Sequence, residues 1–370
     1  MAADDLNKPL GLDKATRPVP ALYLGIAGIA AAAVAVVAGL VWFAAPANKG
    51  PVATAVINAP GGAPPIAPDR TGSTPPQGLT EVAPTGGLSD LGEVVIHDPS
   101  EPQPLRLAAL PDRALVEDGP DGPLPRVAAD GTRPLDAYAR PSTTDGRDPR
   151  IAIVVGGIGI DPDTTRQAIA VLPGAVTLAF APYGDNLQAA LTDARTAGHE
   201  ILLQVPLEPY NYPKTDPGPK TLTADATPEE NIDRLHWFLG RITNYVGVVN
   251  YMGARFTGDA GLLAPVIAEI GQRGLLYLDD GSSPRSRAAE VAGGIAPFVA
   301  ADMVLDADLS AEAIDQRLRQ LQAIARERGY AIATATAFPV TVERIAAFAK
   351  AAADKGFDIV PLSALVAGRS

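Results

Sequence analysis

The chain has 370 residues, with 30 Lys and Arg against 42 Asp and Glu, a formal charge of -12 and no cysteine. The negative field repels phosphate backbones, which argues against a nucleic-acid partner, and the lack of cysteine excludes disulfides, thiolate metal sites and cysteine nucleophiles. Of 36 prolines, 19 fall between Pro46 and Pro149, so a continuous core is expected only from Arg150 onward, as one α/β unit of about 220 residues.

Residues 1–20 read as a cytoplasmic tail carrying Lys8, Lys14 and Arg17. Residues 21–45 are 25 in a row without a charge, and about 20 apolar residues suffice to span a bilayer as a helix. Tyr23 and Trp42 stand near the two ends, and only Lys49 follows closely. The positive-inside bias therefore puts the N-terminus in the cytoplasm and the main domain outside the inner membrane, on a single pass. A cleavable signal peptide is the competing reading, with Ala45-Pro46-Ala47 as a small-residue stretch, but its apolar region is usually shorter than this one.

Residues 46–123 form an extended Pro/Gly-rich linker whose composition does not offset the entropy of folding. Residues 124–149 open with LPRVAADGTRPLDAYARP. Tyr138 and the aliphatic residues around a DG turn mark this stretch as an arm packing on the domain that follows.

From 150 to 370, eight short apolar runs alternate with helical patterns: Ile151 to Val155, Val176 to Phe180, Ile201 to Val205, Val246 to Asn250, Leu275 to Asp279, Met303 to Asp306, Ala331 to Ala335 and Ile359 to Leu362. Alternation of this kind predicts a parallel sheet. Helix-opening signals introduce amphipathic stretches at Thr227 to Thr243 and Ser310 to Arg328. A closed barrel and an open doubly wound sheet share this pattern, and both place ligands at the carboxyl ends of the strands.

The polar motifs fall at those ends. The first run closes in VVGGIGID, Val154 to Asp161, but Gly157 and Gly159 are followed at the third position by Pro162, so the dinucleotide-binding fingerprint fails. Asp161 and Asp163 open a helix and are expected to cap it. In GHEILLQVPLEP, Gln204 offers an amide and Glu208 a carboxylate for acid/base work or sugar hydroxyls; the loop from Tyr210 to Pro219 adds Tyr212 and Asp216. In NYMGARFT, Asn250 both donates and accepts, Tyr251 presents a ring to a sugar face, and Arg255 can clamp an anion or be tied to Asp279 or Asp280. Asp279 and Asp280, followed by Ser282, form the strongest polar constellation, although adjacent strand residues point to opposite sides, so one carboxylate is expected to be functional and the other structural. The three histidines are His97 in the linker, His199 at the head of a strand and His236 on a helix face; none is spaced to complete a metal site.

Together, GHEILLQVPLEP and NYMGARFT resemble the divergent polysaccharide deacetylase family, a branch of the metal-dependent carbohydrate esterases. The resemblance covers nearly all of Arg150 to Leu365 and implies an irregular seven- or eight-stranded (β/α) barrel of polysaccharide deacetylase type. It also implies an aspartate pair where this chain has Gly156 and Gly157, and metal-binding histidines where it has Gln204 and Tyr251. A Gly-His-Pro-like ending would stand where this chain has AIATATAFP. Four strand ends thus depart from the metal-dependent pattern. The expectation is a barrel without metal or other cofactor, holding cell-envelope glycan or a periplasmic protein at its mouth through Gln204, Tyr210, Asn250, Tyr251, Arg255 and Ser282. The alternative is a working deacetylase using Glu208, Asp279 and Asp280. A purely structural barrel would instead have its mouth filled by the 124–141 arm.

Overall fold

The computed structural model describes residues 105–366 apart from 143 and 145. The expected tail at 1–20, the membrane helix at 21–45 and most of the 46–123 linker lie outside the described residues. Among the described residues no helix is long and apolar enough to cross a membrane.

All eight apolar runs contain strands. They are β3 (Arg150–Ile158), β4 (Thr177–Phe180), β5 (Ile201–Leu207), β6 (Gly247–Met252), β7 (Leu276–Asp279), β9 (Met303–Val304), β10 (Tyr330–Thr336) and β11 (Asp358–Ile359). A ninth, β8 (Phe298–Ala300), went unread because three residues carry too little pattern to register. The strands pair in parallel in the order β8-β7-β6-β5-β4-β3-β10-β9, with β11 also on β3.

No ladder joins β8 to β9, so the hydrogen-bonded sheet is a curled half-barrel. The chain itself bridges the gap. The Ala301 amide donates to Asp279 O at 2.9 Å on one side, and the Asp302 amide donates to Ile332 O at 2.8 Å on the other. The Thr334 hydroxyl adds a bond across the seam, to Asp280 O at 2.8 Å.

Strand alternation divides the core into two layers. On β3, Ile151, Ile153 and Val155 pack outward against helices, whereas Ala152 and Val154 face an inner cluster with Ala179, Leu202, Val249 and Ile332. The helices start where the sequence signals them. The helix α2 (Pro162–Val171) is capped by Asp161, whose side chain accepts from the Thr164 amide at 2.8 Å. After α3 (Leu187–Thr196), α4 (Pro228–Leu239) opens with a capping box between Thr227 and Glu230. Next come α5 (Ala260–Gln272) and α6 (Ala288–Ala292); then α7 (Ala311–Arg328) is capped by Ser310 and ends at Gly329 with φ 81°, a conformation glycine adopts without strain. The last helix is α8 (Pro339–Lys350).

The N-terminal end of this curled sheet is sealed. Preceding the barrel, β1 (Val116–Gly119) and β2 (Gly122–Pro125) form a hairpin, followed by α1 (Pro134–Ala137). Leu115, Leu135 and Tyr138 are buried in the inner cluster. Packed chain therefore begins upstream of the expected boundary at 124. Arg195, 1% exposed, ties the arm down by donating to Tyr138 O at 2.7 Å and Ala108 O at 3.1 Å. Burial pushes its guanidinium down to about 10. Further bonds run from Leu135 N to Gly274 O and from Asn244 Nδ2 to Ala108 O. Each barrel partner precedes a strand, so the arm sits at the pole opposite the carboxyl ends.

The buried Glu200 carboxylate gathers the same pole, accepting from Arg140 N at 3.1 Å, Ser363 N at 2.9 Å and the Ser363 hydroxyl. Beside it, His199 is held between Val176 O at 2.8 Å and Ile169 O at 3.4 Å, and burial keeps it below the usual imidazole range. Its position is architectural.

Candidate binding cleft

At the opposite pole the strand ends leave a cleft of about 360 Å3. Its apolar walls include Val154, Ala179, Val249 and Ala335; Tyr183 and Tyr251 stand at the sides. The arm does not enter it, which removes the condition for a purely structural barrel.

The floor turns on one interaction that local sequence does not reveal. Gln204 on β5 reaches across the intervening β4 and accepts from the Gly157 amide on β3, at 2.8 Å. Its amide occupies the space beside Gly156. A β-carbon added at Gly156 would lie 2.6 Å from Gln204 Nε2, well inside contact distance. Glycine at 156 and glutamine at 204 are therefore one arrangement, the first making room for the second.

Five of the expected site residues border the cleft: Gln204, Asn250, Tyr251, Asp280 and Ser282. Asn250 is mainly a bracket. Its Nδ2 donates to Met252 O at 2.8 Å, while its Oδ1 accepts from the Asp280 amide at 3.0 Å. Met252, also on the rim, has φ 59°, a left-handed conformation costly for a non-glycine residue and concentrated at functional sites. Asp280 accepts from the Ser282 amide at 2.9 Å, and burial, reinforced by the neighbouring Asp279 charge, raises its carboxyl above the ordinary range.

The other expected residues do not line the cleft. Asp279, 6% exposed, accepts from Gly281 N at 3.1 Å and from the Ser286 hydroxyl, so it shapes the turn after β7. Glu208 is buried, accepting from Ala224 N at 2.5 Å and from the Arg255 guanidinium. Arg255 reaches Asp225 as well, at 3.4 Å; its partners are neither Asp279 nor Asp280. Tyr210 is 57% exposed beyond the rim. The geometry thus does not bring Glu208, Asp279 and Asp280 together as a carboxylate set.

One wall residue escaped the sequence reading. Tyr183, just beyond β4, donates to Pro219 O at 2.8 Å and so pins the proline-rich loop, whose Pro217 also borders the cleft. Gly218 fits against its ring, since a β-carbon there would lie 2.6 Å from Tyr183. Burial pushes the Tyr183 phenol far up, with smaller contributions from Asp216 and Tyr251. An aromatic residue after a strand in FAPYG was the available signal.

The donor set does not suit a catalytic transition metal, which takes about three protein nitrogen, sulfur or carboxylate ligands and keeps an open position. Along the cleft there is one carboxylate, Asp280, and no imidazole. The Gln204 amide oxygen is already committed to Gly157. Among the described residues no three His, Asp or Glu side chains converge as a metal-binding group.

Comparison with known proteins agrees with the architecture. The chain is 27% identical over 195 residues to the uncharacterized protein YibQ of Escherichia coli, covering 52% of this chain and 60% of that one. It is 26% identical over 143 residues to an uncharacterized protein of Haemophilus influenzae, covering 39% and 50% respectively. It thus spans only part of the length of these curated relatives. The crystal structure of the uncharacterized protein ATU2773 from Agrobacterium tumefaciens C58 is similar with a TM-score of 0.65 at 48% identity, over 66% of this chain and all of that one. Residues 153–366 match the family model described as divergent polysaccharide deacetylase, and the chain belongs to that family.

Proposed function

We propose that the protein is a deacetylase-like barrel tethered to the inner membrane, with its domain in the periplasm, which binds cell-envelope glycan at the strand mouth without hydrolysing it. The observation that carries this reading is the seating of Gln204 on Gly157 N–H in the space beside Gly156. An amide locked there leaves no place for a carboxylate at position 156, while Tyr183 and Tyr251 keep the aromatic surface that sugar rings stack on. The tether rests on residues 21–45 and on the basic residues before them.

The test joins three measurements on the purified full-length chain. The expected results are no stoichiometric zinc or nickel, no acetate released from N-acetylated oligosaccharides, and saturable oligosaccharide binding that Tyr251→Ala weakens. One bound metal per chain together with acetate release overturns the reading. Recovery of the protein from the soluble cytoplasmic fraction overturns the tether alone.

A further inference from the structure

We propose that the cleft selects an amine-bearing sugar, a hexosamine with a free amino group, over its N-acetylated counterpart. This inference rests on the glycan reading and narrows it.

The argument starts from charge. Asp280 is the one charged residue among the described residues lining the cleft. It forms no ion pair with any described residue, and its side chain meets only neutral partners, the Ser282 amide and side chain and Asn250. The nearby arginine is neutralised elsewhere, since Arg255 is held by Glu208 and Asp225. A partly buried carboxylate bordering a cavity that holds no other charge attracts a cation, and an ammonium donor makes a charge-assisted bond there that an acetamide does not. Tyr183 and Tyr251 supply rings on the same cleft, and aromatic faces attract ammonium groups as well as stacking on sugars. The remaining polar groups at the mouth, Asn250, Thr334 and Thr336, suit hydroxyls rather than anions.

Size is consistent with one sugar. A volume of about 360 Å3 stands near the lower end for small-molecule pockets. The Gln204 amide, already seated on Gly157, holds the floor in place before a ligand arrives.

Calorimetry on the full-length chain with tetra-glucosamine and tetra-N-acetylglucosamine, at physiological salt to screen the overall negative charge, tests this directly. The free-amine tetramer should bind more tightly by a factor on the order of ten, the scale of one charge-assisted bond. In Asp280→Asn, which keeps an oxygen for Ser282 N–H, the two tetramers should bind within about twofold of each other by the same reasoning. Asp354→Asn, a charge change at an exposed site away from the cleft, should leave the preference intact. Equal binding of both tetramers by the native chain, or preference for the acetylated one, overturns the amine inference and leaves glycan binding standing. If neither tetramer binds, the glycan reading falls and takes the inference with it. The comparison on the native chain needs no variant, so a poorly folding Asp280→Asn does not rescue the proposal.

Discussion

Replacing Gly156 by alanine tests whether Gln204 and Gly156 form one unit. Gly156 does not have a positive φ, so its backbone accepts a side chain, and any cost must come from what the new carbon meets. That carbon would lie 2.6 Å from Gln204 Nε2 and 3.1 Å from its Cδ. The glutamine must swing away, breaking its bond to Gly157 N–H and leaving a partly buried amide without its partner. Orphaning such a donor costs about 1–3 kcal/mol, and each kcal/mol shifts the melting temperature of a domain this size by about 2–4 °C. In a Gln204→Ala background the space is open and the bond already lost. There Gly156→Ala should be neutral, or stabilising by about 0.4–1 kcal/mol through the restricted unfolded chain. Urea unfolding of the four proteins gives the cycle, with an expected coupling of about 1–2 kcal/mol for groups in direct contact. The reasoning is refuted if Gly156→Ala costs the same in both backgrounds.

Arg195→Met removes two charge-assisted bonds that hold the arm, each worth about 1.5–3 kcal/mol, so about 3 kcal/mol or more should be lost; limited trypsin digestion should then cut at Arg106, Arg113 or Arg126, and continued protection of those sites counts against the arm's dependence on Arg195. Arg255→Ala should lower the melting temperature, because Glu208 is left buried without its cation, yet leave oligosaccharide affinity unchanged; a selective loss of affinity would return Arg255 to the binding surface. His199 stays neutral in the folded chain while the unfolded chain takes up a proton below about pH 6.5, so its contribution is lost as the pH falls below that value. Asp280 and Asp306, both raised by burial, act in the opposite sense, losing stability as the pH rises from about 4. Unfolding of native and His199→Gln chains between pH 7 and 5 isolates the histidine: the variant should show the flatter acid slope, and equal slopes would contradict its assignment.

The strands were legible because each is a short apolar run between turn and cap signals, and the parallel sheet followed from their alternation with helices. Thr227 and Ser310 marked their helix starts for the same local reason. The curl of the sheet was not legible, since it depends on long-range contacts such as Thr334 meeting Asp280 O across 54 positions of sequence. The site divides in the same way. Gln204, Asn250, Tyr251, Asp280 and Ser282 all border the cleft, because nearness to a strand's carboxyl half is a local property. Sequence could not foresee that Arg255 would pair with Glu208, which lies 47 residues away. Nor could it show that Gln204 is held by a glycine amide two strands over, because that depends on the register of β3, β4 and β5 together.

The sealed pole gives the molecule a mechanical direction. The Leu107 amide donates to Arg195 O at 2.9 Å at the base of the barrel, so the first described residues are fastened at the pole away from the cleft. A pull on these first residues is taken by the arm, through the Arg195 bonds to Ala108 O and Tyr138 O. The strand ends that form the mouth are not in its line.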